Sequence, residues 1–497
     1  MGVQYDYDVI VIGGGAAGLT SAGIAANVGA KTALIEKNEL GGDCTWTGCI
    51  PSKALIKSAK VAHQARTGGA FGIKGNEPEV DFQRVMNHVR RTREEVYEDA
   101  DHPDIFREMG IEVISGHARF QSPHEICINS QQNGDSIKLT SRYFFICSGS
   151  SAMVPPIPGL ETTNYITNEQ LFELDEQPNE LAIIGAGPIG VEMAQSFQRL
   201  GTQVHLLDMQ NRILPNDRDE LSAILQKQLE KEGVHLHLEV NIEQLEGKNK
   251  DSLAIHYKDK EGHQKRLEPD RLLMATGRKA NTNGLDLEKA EVSYSRKGIS
   301  VNEKCQTSQN HIYACGDVTG EYQFTHMSEH MAKVATTNAL LKIPMKLDRK
   351  HIVWCTYADP EMAHLGATYD DLVASGTHFK TYRFPFDKVD RALAENETNG
   401  WIYIYAKKLT GKILGADIVG AHAGEMISQL AVAMKNGVTL RNIADTIFPY
   451  PAWMQGVRRG ADQWYIQNQS ESMTRWIKRL FRYNGTVPDF SNPDRIV

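Results

Sequence analysis

The chain has 497 residues, 41% of them hydrophobic, which is enough for about three domains with their own cores. Asp and Glu outnumber Lys and Arg by 62 to 54, and the net charge of −8 argues against a general nucleic-acid binder. Seven cysteines at 44, 49, 127, 147, 305, 315 and 355 are too few and too scattered for a secreted disulfide framework, no charged leader with an apolar core precedes Tyr7, and no run of eighteen apolar residues occurs, so a cytoplasmic protein without a membrane span is expected.

The first segment, YDVIVIGGGAAGLTSAGIAANVGAKTALIEK, reads as a buried strand to Ile12, a glycine turn, an Ala-rich helix and a second strand closing on Glu36. Gly13 permits the tight turn, Gly15 lets backbone approach a pyrophosphate, Gly18 lets helix pack on strand, and the acid 23 residues after Gly13 is spaced to meet a ribose hydroxyl.

Directly afterwards comes GGDCTWTGCIPSKALI, Gly41 to Ile56, with Cys44 and Cys49. In a regular helix a five-residue step advances about 7.5 Å, past the ~7 Å Cα separation that a disulfide bridges. The pair closes only if the backbone is distorted, and Gly48 and Pro51 are the candidates for that distortion. A bridge in such an irregular loop is more easily reduced than a relaxed one. The plain alternative is two unrelated buried thiols.

ELAIIGAGPIGVEMAQSFQRLGTQVHLLDM, Glu180 to Met209, repeats the first design, with Gly185, Gly187 and Gly190 in the turn and Asp208 again 23 residues after the first glycine. The plain alternative for both acids is a solvated carboxylate at a strand end. Two dinucleotide sites in one chain imply transfer between two cofactors. An acid at 208 accepts from the 2′-hydroxyl of NAD and repels the 2′-phosphate of NADP, so NAD(H) is the expected nicotinamide and NADP(H) the second choice. Arg212, four residues on, is the side chain that could turn toward a phosphate.

Further on, Trp401–Ala406 and Lys412–Val419 are β-rich runs joined through Thr410 and Gly411, a hairpin signal, and EMISQLAVAMKNG is a helical pattern stopped by Gly437. Such a C-terminal α/β segment is either a third packed layer or the face of a symmetric dimer. Near the end, RWIKRLFR, Arg475 to Arg482, sets cations against Trp476, Ile477, Leu480 and Phe481 in an amphipathic helix. Basic helices of this kind can lie on anionic membranes, but more often pack on their own domain, which is the expectation here.

These motifs together resemble the class I pyridine nucleotide-disulfide oxidoreductases, the family of dihydrolipoamide dehydrogenase, glutathione reductase and mercuric-ion reductase. The resemblance runs from about Tyr7 to Trp464 and rests on GGxCxxxGCIPSKAL at Gly41–Leu55, LMATGRKAN at Leu273–Asn281, IYACGDVTG at Ile312–Gly320 and ADPEMAHLG at Ala358–Gly366. It implies an α/β fold with two Rossmann-like dinucleotide-binding domains and a C-terminal α/β dimerisation domain. FAD would bind residues 1–160 with 275–345, the nicotinamide 161–274, and the homodimer form through 346–465, leaving 466–497 as a tail.

The same resemblance assigns roles. Cys49 would face the flavin and Cys44 exchange with the substrate, while Lys53 pairs with Glu192 beside the flavin; the plain alternative for that pair is two exposed helix charges. Lys37, Gly42, Asp43, Ala118, Ser148, Gly149, Gly277, Arg278, Gly316, Asp317 and His326 would contact cofactor. Pro188 stands where some relatives carry a gating tyrosine.

One departure bears on chemistry. The family's His-Pro-Thr-x-x-Glu motif is here Tyr450, Pro451, Ala452, Trp453, Met454 and Gln455. A tyrosine, with an ordinary pKa near 10, is about three units too weak an acid to shuttle protons at neutral pH. Organic disulfide reduction should therefore be slow unless another base intervenes. Tyrosine at this place is what mercuric-ion reductases have, yet no cysteine follows Cys355 and no metal-capture domain is expected before Tyr7. Asp43 and Trp46 also replace smaller residues. The expected function is a flavin- and NADH-dependent oxidoreductase acting through Cys44 and Cys49 on a small-molecule or protein disulfide or other thiol-reactive acceptor. Mercuric-ion reductase and dihydrolipoamide dehydrogenase are the runners-up. A redox-sensing binding protein is the alternative from another class.

Overall fold

The computed structural model describes residues 4–74, 77–129, 136–249 and 252–488. The chain divides into two compact units, Met1–Asn211 with Gly233–Leu347, and Arg212–Glu232 with Asp348–Val497.

In the first unit, Tyr7–Ile12 is flanked in parallel by Thr32–Glu36 and by the long strand Ser136–Ile146, with Glu112–Ser115 outside Thr32–Glu36. Both faces of the central strand are covered, so its apolar run is almost continuous rather than alternating. Ile312–Ala314 adds in parallel to the far half of Ser136–Ile146, while Glu125–Asn129 pairs antiparallel with the near half and His117–Ser122 pairs antiparallel with Glu125–Asn129. Ile10, Phe120, Phe144 and Ile312 fill the core beneath.

The second glycine motif builds its own parallel sheet, in the order His235–His237, Gln203–Leu207, Glu180–Ile184, Arg271–Met274. A three-stranded antiparallel layer closes on it through Leu245 and Ile255. Residues 212–232, inside the segment expected to hold the nicotinamide, cluster instead with the second unit. There Asp217 accepts from the Trp354 indole at 2.9 Å, and the Arg218 guanidinium lies 4.0 Å from the Tyr369 ring centre.

The second unit is an antiparallel five-stranded sheet, Val353–Thr356, Glu361–Gly366, Ile413–Gly420, Trp401–Ala406, Lys380–Pro385, with the helices Ala423–Lys435 and Met454–Asn468 packed around Phe384, Ile402, Ile418, Leu430 and Val457. The hairpin expected at 401–419 forms, with Gly411 at φ 65°, where a β-carbon is strained. The tail helix runs Glu471–Leu480, its Ser470 capping Met473 N at 3.1 Å. None of its ten residues is fully buried and Ile477 is half-buried, so the apolar stripe expected to pack on the domain is only partly covered among the described residues. Among the described residues no helix is long and apolar enough to cross a membrane.

Candidate active site

Cys44 sits in the short helix Gly42–Trp46, and Cys49 opens the helix Cys49–Thr67. The break between them is at Thr47 and Gly48, not at Pro51, which lies in the first helical turn, where no backbone donor is missed. Gly48 is required because a β-carbon there would meet the Asp43 carbonyl oxygen at 2.7 Å.

Both cysteines are free thiols. The Cys44 thiol hydrogen-bonds the Cys49 sulfur, Thr325 Oγ1 lies 3.3 Å from that sulfur, and Lys53 stands one turn further along the helix. The hydrogen bond from Cys44, aided by Thr325 and the Lys53 charge, outweighs burial and holds Cys49 at about 6; Cys44, donating the shared proton, is pushed far above the ordinary thiol range. The uncapped N-terminus of the Cys49 helix supplies further positive field. The direction of both shifts favours Cys49 over Cys44 as the thiolate of the pair.

Lys53 Nζ meets Glu192 Oε2 at 3.0 Å. Glu192 is almost fully buried in the helix Pro188–Leu200 that follows the second glycine turn, so this is not a pair of exposed charges.

The two glycine turns are built alike. A β-carbon on Gly18 would lie 1.8 Å from the Gly13 carbonyl oxygen, and one on Gly190 would lie 1.8 Å from that of Gly185, so each helix rests directly on its turn. Around Gly187 the β-carbon position is open, and at Gly15 the nearest atom is 3.8 Å away. Both helices start without a side-chain cap, leaving backbone donors aimed outward. Open space over unsatisfied donors fits a pyrophosphate at each turn. Pro188 occupies the first helical position of the second.

The acids do more than wait for ribose. Glu36 accepts from Gly14 N at 2.6 Å and Asn38 N at 2.8 Å, and Asp208 accepts from Ala186 N at 2.6 Å and Gln210 N at 2.7 Å. Each carboxylate thus clamps its own glycine turn and offers a ribose only its remaining lone pairs. Arg212 is not available to a phosphate as expected, because its guanidinium is held by Asp219 and the Pro215 carbonyl at 2.6 Å.

Three expected cofactor residues, Arg278, Asp43 and Asp317, meet in one network joined by Ser150. Arg278 bonds Asp43 at 2.9 Å and lies 3.6 Å from Asp317, and Ser150 bridges Arg278 at 2.8 Å to Asp317 at 2.5 Å. Burial pushes the Asp317 carboxyl up despite these partners. Ser148 and Asn281 lock the neighbouring turn beside Gly149. Gly41 N bonds Gly14 O at 2.9 Å, and a β-carbon on Gly42 would touch Gly15 Cα at 2.8 Å, so the cysteine motif leans on the first glycine turn.

Asp43 and Trp46, the unusual residues of the motif, are struts. Asp43 also accepts from Asn168 at 3.0 Å, and Trp46 donates to the Leu40 carbonyl at 2.8 Å beneath the Arg93 guanidinium. His326 stands exposed in the first turn of Thr325–Thr336, stacked on Phe324, Lys37 is exposed beside Glu36, and Gly277 has φ 120°. The Ala118 side chain is buried in the core, so only its backbone can contact a ligand. Thr325, Ser150 and Asn168 carry no local sequence signal of these roles, because their partners lie more than a hundred residues away.

In the second unit Tyr450 is exposed and lines a cavity of about 360 Å³ with Gln455, Lys388, Asp390, Arg458 and Arg459. Gln455 accepts from Arg458 Nε at 3.1 Å and donates to the Pro449 carbonyl at 3.2 Å.

Residues 7–332 match the family model described as pyridine nucleotide-disulphide oxidoreductase, and residues 352–459 match its dimerisation domain. The chain belongs to this family. It is 33% identical to a mercuric reductase of Staphylococcus aureus over 92% of this chain and 82% of that one. It is 31% identical to a dihydrolipoyl dehydrogenase of Bacillus subtilis over 92% and 97%. Among solved structures, the HOCl-induced flavoprotein disulfide reductase RclA of Escherichia coli superposes with a TM-score of 0.80 at 26% identity, covering 93% of this chain and all of that one. The family member described here is an FAD- and NAD(P)H-dependent oxidoreductase acting on sulfur groups, with the Rossmann-type α/β architecture and a dimerisation domain.

Proposed function

We propose that this homodimeric flavoenzyme takes electrons from NADH and delivers them through Cys44 and Cys49 to a disulfide or thiol-reactive acceptor. The observation that carries this reading is the pair of free thiols Cys44 and Cys49 flanking the Thr47–Gly48 break, with Thr325 Oγ1 3.3 Å from Cys49 and the Lys53–Glu192 pair further along the same helix. FAD, when bound, supplies the two-electron link between nicotinamide and the sulfurs. The glycine turns at Gly13–Gly18 and Gly185–Gly190 would hold the two pyrophosphates, and the Arg278–Ser150–Asp317 network would orient the flavin's polar side chain.

The residues' own chemistry follows from where the proton lies. Cys44 must lose its proton before its sulfur attacks an acceptor disulfide, forming a mixed disulfide and expelling one thiolate. Cys49 then attacks the Cys44 sulfur, closing Cys44–Cys49 and expelling the second thiolate, so one acceptor disulfide leaves as two thiols. The leaving thiolates need a proton donor. Tyr450 and Gln455 are poorly suited to that work, which favours an acceptor whose reduction needs less proton transfer.

That same observation supports a second reading, in which the two sulfurs bind mercuric ion as substrate with release of their protons. Multiple turnover with NADH and lipoamide, glutathione disulfide or Hg(II) separates the readings. Turnover of none of them would favour the sensing role.

A further inference from the structure

The helix Glu471–Leu480 is strongly two-sided, and among the described residues none of its side chains is fully buried, Ile477 being half-buried. Met473, Trp476, Ile477 and Leu480 follow the i, i+3, i+4, i+7 spacing of one stripe, and Phe481 and Tyr483, stacked on each other, prolong it. Trp476 is 62% exposed, and Leu480, Phe481 and Tyr483 are each more than half exposed. Arg475, Lys478 and Arg479 fall on the opposite side of the helix, and Arg482 follows its end. Arg475 pairs with Glu471, whereas Lys478, Arg479 and Arg482 make no side-chain hydrogen bond or ion pair among the described residues.

We propose that this helix docks the enzyme on a bilayer surface bearing anionic phospholipid headgroups. An apolar, aromatic stripe backed by unpaired cations is the chemistry that sinks into the headgroup boundary while its charges reach phosphates. Ten residues span only about 15 Å, half of a bilayer core, so the helix lies on the membrane and does not cross it. The chain as a whole carries −8, so net charge does not draw the body to an anionic surface, whereas the cations of this segment are attracted to one. The helix lies beyond residue 459, where the match to the dimerisation domain ends.

The test is cosedimentation of the full-length holoenzyme with vesicles of phosphatidylcholine plus phosphatidylglycerol, and with vesicles of phosphatidylcholine alone. The expected result is binding to the anionic vesicles only, weakened by salt. It should fall at least about tenfold both in Trp476→Ser/Leu480→Ser/Phe481→Ser and in Arg479→Glu/Arg482→Glu, with NADH-dependent turnover unchanged. Equal binding to both vesicles, no binding to either, or binding retained in the variants overturns the proposal. So does a change in the oligomer's mass in the apolar variant, which would assign the stripe to a second copy of the chain.

Discussion

Lys53 Nζ and Glu192 Oε2, 139 positions apart, meet at 3.0 Å and tie the cysteine helix to the helix of the second glycine turn. Lys53→Met leaves a carboxylate buried without its cation. Because Lys53 is 37% exposed and water can partly screen the loss, the expected cost is about 1–2 kcal/mol rather than that of a fully buried pair. Denaturant unfolding measures it. Turnover should drop by about tenfold or more, because the positive charge near Cys49 is also lost.

Cys49 should be the reactive sulfur of the reduced enzyme. Its iodoacetamide rate should rise through a midpoint near pH 6, being slow below and at its plateau above, because the thiolate is the nucleophile. Cys44→Ala removes the hydrogen bond that most favours that thiolate, so the midpoint should move upward. Site-resolved mass spectrometry follows both.

Asp208→Ala should lower the ratio of NADH to NADPH specificity constants by at least about tenfold, because the carboxylate that repels a 2′-phosphate is gone. It also removes the clamp on Ala186 N, so KM for NADH should rise as well. A variant that keeps the wild-type ratio would take nicotinamide choice away from Asp208.

Tyr450→His places a group titrating near neutrality where the family carries its acid-base histidine. Turnover with lipoamide or glutathione disulfide should increase at pH 7 by about tenfold or more, with thiol alkylation at Cys49 unchanged. The gain will be smaller than the family's full effect because Gln455, bonded to Arg458, offers no charge to orient the imidazole.

The second unit holds a buried His364–Asp417 pair at 2.6 Å, with the Trp354 ring stacked on His364. Burial alone would depress the imidazolium, but Asp417 raises it above the ordinary histidine value. The folded state therefore holds a proton that the unfolded chain releases. This stabilisation is complete below about pH 6.5 and is lost as pH rises through the folded value. Asp417→Asn should lower the Tm most at acidic to neutral pH, and its gap from wild type should narrow as pH climbs.

Much of this was legible in the sequence because the signals are local. The glycine turns, the acids that end their second strands and the hairpin at Gly411 each depend on residues within about twenty-five positions. The cysteine pair was legible too, although the distortion was expected partly at Pro51 and lies at Thr47–Gly48. Thr325 beside Cys49, Ser150 between Arg278 and Asp317, and the move of residues 212–232 into the second unit depend on tertiary packing that no spacing encodes. Arg212 shows the reverse failure, since a plausible local reach to phosphate lost to a nearer carboxylate. The tail helix starts four residues before the expected Arg475–Arg482 stretch and ends two residues short of it, and its stripe is only partly covered, because amphipathicity records which face is apolar and not what meets it.

The most direct test is thiol counting in the FAD-loaded, oxidised enzyme before and after one equivalent of NADH without oxygen. Two newly alkylated cysteines per chain, Cys44 and Cys49, are expected, and the Cys49→Ser enzyme should gain none. Flavin reduction with neither sulfur becoming reactive, or acceptor turnover undiminished in Cys49→Ser, would contradict the passage of electrons through this pair.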